Sequence, residues 1–271
     1  MSRRISKSLA RNKLRQVAAS PLARYITFAT ILAALVDLAF YTPLTQGNPA
    51  AYIVWGGFRM YTPTAAVLLA AGIKAIKDAL HIDTKSALLY FTSPLVAYLA
   101  LAFYFLLAAP LGATAALSPQ MSVLALAGGY IAAITINALL ALGEEVGWRG
   151  FLQPRLEAAG LSLAKAAFLT GVVWGFWHAP AILMFGHNYP ENRLLGVFLF
   201  PLLTAAVSYP LAVVRKLSSS AFPCASLHGA INALWRLAIL APALPREVGA
   251  LGPLAIAAWL LTSAAIRLLA R

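Results

Sequence analysis

Apolar residues run along this chain in long, nearly unbroken windows, where a soluble fold would show alternating apolar and polar faces. Read in order, the windows predict about eight helical spans: 22–45, 60–77, 86–109, 121–143, 163–184, 194–214, 218–240 and 250–268. A helix of roughly 18 or more apolar residues is long enough to cross the hydrocarbon core of a bilayer. Strands do not fit the pattern, because a membrane barrel would show period-2 alternation and an open sheet would leave backbone groups unpaired in lipid. Breaks fall at Thr45–Asn48, Lys74–Lys85, Pro110–Pro119 and Gly186–Arg193, while the charged segment Glu144–Glu157 follows the fourth window and Pro242–Arg246 precedes the eighth. No tandem repeat, low-complexity tract or linker divides the chain. The expectation is an all-α polytopic membrane helix bundle, with a basic segment over 1–21 and a single transmembrane domain over 22–271.

Composition excludes an ordinary soluble domain: 61% of the 271 residues are apolar, 11% are charged and the mean hydropathy is +0.80. The net charge of +13 bears on orientation, since Lys and Arg near span ends stay on the cytosolic side. Seven of them, and no acid, lie in the first 24 residues. With a cytosolic N-terminus, seventeen basic residues fall in inner loops, and only Arg59, Arg193, Arg236 and Arg246 fall outside. Both termini and the cytosolic face of the bundle are thereby assigned, and the span count should be even. Topology and anionic lipid heads account for the basic start better than nucleic acid does. A cleaved signal peptide is not expected, because the first apolar stretch is too long. The single cysteine excludes an intrachain disulfide and any Cys-only metal site.

Ionisable groups at membrane depth are costly and are therefore functional candidates. The densest group is Gly143-Glu144-Glu145-Val146-Gly147-Trp148-Arg149, which follows an apolar run without a loop signal. On a helix, Glu145 and Arg149 stand four apart with the acid first, the order in which side chains meet as an ion pair. Glu144 is left without a built-in countercharge and is suited to take a proton from water. The competing reading is a solvated helix end at the cytosolic interface. His178 follows in Trp174-Gly175-Phe176-Trp177-His178-Ala179-Pro180, one turn after Trp174 and just before a proline that bends the helix. A third cluster places His228 and Asn232 on one helix face, two hydrogen-bond donors beside the small surface of Gly229 and Ala230. Such a pair can clamp an oxyanion, or it can simply bond neighbouring helices together.

The ordered set Glu144-Glu145-x-x-x-Arg149, then His178 after an aromatic, then His228-x-x-x-Asn232, resembles the CAAX-protease and bacteriocin-processing family of glutamate intramembrane endopeptidases. The resemblance covers roughly residues 120–240 and implies a catalytic core there. It implies that Glu144 and His178 activate a water, that His228 and Asn232 hold the developing oxyanion, and that Glu145 and Arg149 brace the site. It further implies a peptide or protein substrate, prenylated or not, with membrane lipid as surroundings and no cofactor or metal. Trp174 departs from the family pattern, which often has Phe there; the change keeps an aromatic wall and bears on which peptide fits.

Rival chemistries are weaker. The His-Glu-x-x-His spacing of helical zinc sites is absent, Cys224 reads as packing, and Ser218–Ser220 reads as a loop and cap. A non-catalytic membrane scaffold or peptide-toxin resistance protein of the same architecture is the main alternative, and a transporter is disfavoured by the lack of an inverted repeat. Asp37 shows no visible partner, Asn137 shares a face with Glu144, and His187, Asn188 and Glu191 fall in a solvated outer loop.

Overall fold

A computed structural model describes residues 20–112, 118–240 and 244–269, and every regular element among the described residues is a helix. In chain order these are α1 (Pro21–Ala39), α2 (Tyr41–Thr45), α3 (Pro49–Met60), α4 (Thr62–Ala71), α5 (Ile73–Ala79), α6 (Thr84–Thr92), α7 (Leu95–Ala108) and α8 (Pro119–Ile134). They continue with α9 (Ile136–Gly147), α10 (Gln153–Ala158), α11 (Leu163–Trp177), α12 (Ala179–Phe185), α13 (Arg193–Ser218), α14 (Phe222–Leu240) and α15 (Pro253–Leu269). A π turn, Trp148–Leu152, joins α9 to α10. The basic segment expected over 1–21 lies, apart from Ser20 and Pro21, outside the described residues.

Helix starts follow from residues that satisfy the orphan amides of a first turn. The side chains of Ser20, Asn48, Asp83, Ser118, Ser162 and Asn192 each accept from an amide at the head of the helix that follows. By length and composition, Pro21–Ala39, Thr84–Leu111, Leu163–Phe185 and Arg193–Ser218 can each cross a membrane, and the bent pair Gln120–Ile134 and Ile136–Ala158 makes a fifth if it is one span. These match five of the eight expected windows. The seventh window is helix α14, whose apolar run is diluted by His228, Asn232 and Arg236. The eighth is α15, a turn shorter at 17 residues. Large apolar side chains such as Leu35, Ile53, Leu106, Val123, Leu124 and Phe198 are exposed on the outside of the bundle. With the apolar helices, this makes the chain an integral membrane protein.

The second and fourth windows differ in form from the expectation. The second, 60–77, is divided: Pro63 opens α4 anew after Tyr61, and Gly72, at φ 78°, separates α4 from α5. Only glycine adopts that positive φ at no steric cost. The fourth is bent by 48° at Thr135. There Thr135 Oγ1 takes the Ile131 carbonyl at 2.6 Å, the Thr135 amide turns to Ala132, and Tyr90 donates to the Ile134 carbonyl at 2.7 Å. A hydroxyl bonding back into the preceding turn, in a stretch of β-branched residues, is an identifiable cause of such a bend. Its effect is to aim α9 separately from α8.

The core is built by pairs of helices: α11 lies along α13, α9 along α14, α1 along α4, and α15 against α7. Gly171 permits the first pairing, since a Cβ there would stand 2.5 Å from Ala205 Cα and 2.5 Å from the Thr204 carbonyl. Close approach through small residues substitutes for a hydrophobic driving force that lipid cannot provide between helices.

Candidate active site

The carboxylates of Glu144 and Glu145 occupy the last turns of α9, deep in the bundle, where both residues are buried. Backbone packing holds that turn in place. Gly143 and Gly147 leave no room for a Cβ against Tyr61, Tyr25 and Pro63, and Thr64 donates to the Gly143 carbonyl at 2.6 Å. Beyond Gly147 the helix widens into the π turn. Pro154 has no amide for the Gly150 carbonyl and crowds it sterically, which accounts for the shift in register.

Neighbouring in sequence, the two carboxylates have different partners. Glu145 Oε1 accepts from Arg149 Nη1 at 2.8 Å and meets His228 Nδ1 at 2.8 Å. Arg149, fully buried, also donates from Nη2 to Ser208 Oγ at 2.9 Å and stands 4.7 Å from the Trp174 ring centroid. Glu144 has no cation within salt-bridge distance among the described residues. Its Oε2 accepts from two indoles, Trp174 Nε1 at 2.6 Å and Trp148 Nε1 at 3.2 Å. Oε1 takes no hydrogen bond from the described residues. The expected division, with Glu145 paired to Arg149 and Glu144 left over, is realised in the side-chain geometry.

His178 stands at the junction of α11 and α12. Pro180 lacks the amide that would close the turn on the Phe176 carbonyl, so the helix breaks there. Its Nδ1 lies 2.9 Å from the Trp174 carbonyl. A carbonyl only accepts, so Nδ1 carries the proton and Nε2 presents a lone pair. His178 makes no direct bond to Glu144; Trp174 lies between them, its indole on Glu144 and its carbonyl on His178. The same indole packs edge-on against the His228 ring, centroids 5.0 Å apart. The aromatic wall expected at Trp174 is therefore also a hydrogen-bond donor, which a phenyl ring could not be.

His228 enters from α14, against which α9 packs. Gly229 makes this possible, because a Cβ would fall 2.7 Å from the Ala133 carbonyl and 2.9 Å from the Ala138 amide. Asn137 donates to the Gly229 carbonyl at 3.2 Å, so it ties α9 to the His228 turn. Asn232 stands one turn along α14 from His228, but it is exposed and its side chain has no hydrogen bond to the described residues. Glu144, Glu145, Arg149, Trp174 and His228 are thus joined in one network of contacts, His178 is one residue removed through Trp174, and Asn232 is at the margin.

Sequence reasoning missed a second layer around His178. His187, expected in a solvated loop, is stacked on His178 with centroids 6.0 Å apart and planes 6° apart, and its Nδ1 is 3.1 Å from the Tyr52 hydroxyl. Burial, together with the nearby Arg59 guanidinium, pushes the His187 imidazole down to about 3, so it is neutral at physiological pH. Arg59, expected in an outer loop, is buried and paired with Asp37 at 2.8 Å. The charges of that pair, an apolar window apart in sequence, could have hinted at it: an acid and a base each set in apolar surroundings need partners. Cys224 is buried, with its thiol turned to the Leu211 and Ser220 carbonyls as a packing group.

Fold and site together define a class, a helical membrane protein that buries a Glu, Glu, Arg and His constellation between its helices. Residues 126–234 match the model of a known family described as type II CAAX prenyl endopeptidase Rce1-like. The chain is also similar to the CAAX prenyl protease 2 of Methanococcus maripaludis, 36% identical over 55 residues that span 20% of this chain and 20% of that relative. The two matches support assignment to the CAAX-protease and bacteriocin-processing family, and all the clustered residues fall inside the matched range.

Proposed function

We propose that this chain is an intramembrane endopeptidase that hydrolyses a peptide bond near a hydrophobic or prenylated C-terminal segment, with its catalytic core at about 120–240. The observation that carries the reading is the unlike pairing of the two adjacent glutamates: Glu145 is committed to Arg149 and His228, whereas Glu144 is held by two indoles at one oxygen and is open at the other. A base needs that combination of fixed orientation and a free lone pair.

In the proposed reaction, Glu144 Oε1 takes a proton as water oxygen attacks the scissile carbonyl carbon, with His178 Nε2 as the second acceptor at the water. The carbonyl π electrons move to oxygen. His228, oriented by Glu145 through Nδ1, donates from a protonated Nε2 to that oxyanion, and the Asn232 amide donates from the next turn. Collapse of the tetrahedral carbon breaks the C–N bond, and the proton held by Glu144 passes to the leaving nitrogen. Every atom of water ends in the two products. The exposure of Asn232 fits a donor left open for substrate. Asn232→Ala is expected to lower kcat by about 10²–10³-fold with little change in thermal unfolding, the loss characteristic of one oxyanion donor. An undiminished kcat for a farnesylated CAAX peptide would remove Asn232 from the site.

Both termini and the Glu144 end of the site are assigned to the cytosolic side, on the support of seventeen inner against four outer basic residues. Burial of Arg59 takes one residue from the outer group and leaves the asymmetry intact.

A further inference from the structure

Asp37 and Arg59 are 22 residues apart, on α1 and α3, and both are buried. Arg59 Nε donates to Asp37 Oδ1 at 2.8 Å, Nη2 reaches Asp37 Oδ2 at 3.4 Å, and Trp55 Nε1 also donates to Oδ1 at 2.8 Å. The guanidinium has a second engagement. Its Nη2 donates to the Trp177 carbonyl at 2.8 Å, and its carbon stands 3.9 Å from the Trp177 ring centroid. Trp177 is the last residue of α11, and the next residue is His178.

A pair this deep in an apolar bundle is costly to assemble, and geometry rather than stability is its best-attested use. Here the geometry concerns a break in a helix. Pro180 frees the chain at His178 from the regular ladder, so the direction of the His178 ring depends on what holds the carbonyl and indole just before it. Arg59 holds both, the carbonyl by a charge-assisted hydrogen bond and the ring by its face. Trp177 is pinned from the other side by its own Nε1, which donates to the Ala29 carbonyl of α1 at 3.2 Å. Asp37 in turn orients Arg59 by two of its donors. Lysine could not replace it, because a single ammonium cannot span Asp37 and Trp177 with the planar fork of a guanidinium.

We infer that Asp37 and Arg59 are positioning residues for His178: through the Trp177 carbonyl they hold the helix break that keeps the imidazole on Trp174 and Nε2 free. The inference rests on the hydrolase reading for its effect on rate, but not for its effect on the ring.

The test uses the full chain in detergent with three proteins: wild type, Asp37→Leu combined with Arg59→Leu, and Arg59→Lys. The double variant removes both charges at once, an exchange that buried ion pairs often tolerate in stability. It is expected to lower kcat on a farnesylated CAAX peptide at least tenfold with KM within twofold. Nitrogen-15 imidazole NMR, with His178 assigned by difference from His178→Gln, is expected to show a single Nδ1–H tautomer in wild type and averaging of the two tautomers in the double variant. Arg59→Lys keeps a charge beside Asp37 and decides the matter if the double variant does not fold; it is expected to show the same averaging and a kcat at least threefold lower. A folded variant with wild-type kcat, or a His178 signal unchanged in Arg59→Lys, overturns the inference. A wild type that cleaves no peptide overturns the hydrolase reading instead, and the His178 signal then decides the positioning role by itself.

Discussion

Glu144→Gln is expected to lower cleavage of a farnesylated CAAX peptide by about 10²–10⁴-fold, the range that a positioned general base supplies. The substitution is close to isosteric, and its amide oxygen can still accept from Trp174 and Trp148, so the indole clamp and the fold are expected to persist. What is lost is the carboxylate's capacity to take the proton of water. The measurement is kcat and KM on purified protein, beside thermal unfolding in the same detergent. A large drop in kcat with KM and unfolding unchanged assigns the base. Equal rates would remove that assignment, and a variant that still fulfils the protein's role in the cell without hydrolysis would favour a scaffold of the same architecture.

Arg149→Met should act first on stability. Arg149 is fully buried, and its loss leaves the Glu145 carboxylate with His228 alone and Ser208 without its donor. Removing one partner of a buried ion pair costs about 3–5 kcal/mol, because the remaining charge is stranded in a medium that cannot solvate it. The variant is expected to unfold at a markedly lower temperature and to yield little protein. Glu145→Gln combined with Arg149→Met removes the stranded charge and should recover most of that stability. Activity should not return with it, since the His228 ring then has no anionic partner to orient Nδ1. Equal unfolding temperatures for all three proteins would show that the Arg149 contact contributes nothing net. Recovery of both stability and rate in the double variant would show that Glu145 and Arg149 serve the fold alone.

The two variants separate parts of the site that differ in how far they could be read from the chain. Glu145 and Arg149 are one helical turn apart, so their pairing follows from the 3.6-residue period, whatever the rest of the fold does. The His178 contact with the Trp174 carbonyl has the same origin, being four residues back along one helix. Pro180 made the break after Trp177 predictable too, because a missing amide is a local fact. Contacts across helices carry no such signature. Nothing in the spacing of Trp148 and Trp174, which lie 26 residues apart, says that both indoles converge on one oxygen of Glu144. His187 reads as a loop residue by its neighbours Gly186 and Asn188, and only the return of the chain beside α3 stacks it on His178. Asp37 was visible as a charge without a partner and Arg59 read as an outer-loop residue; their pairing depends on how α1 and α3 pack.

By itself, the sequence determined that the chain is a helical membrane protein, since apolar windows and composition act residue by residue and need no partner. It also determined the local pairs inside the Glu and His clusters, and the caps at Ser20, Asn48 and Ser162, though not picked out from the chain, are local in the same way. Only the tertiary structure decided that Glu144 is held by two indoles and Glu145 by Arg149 and His228, that Asn232 stands at the margin, and that Arg59 reaches the turn carrying His178. The physical reason is one of range: helical period and capping are set within about four residues, whereas a hydrogen bond between helices depends on glycines such as Gly171 and Gly229 letting whole backbones approach, and that is a property of the assembled bundle.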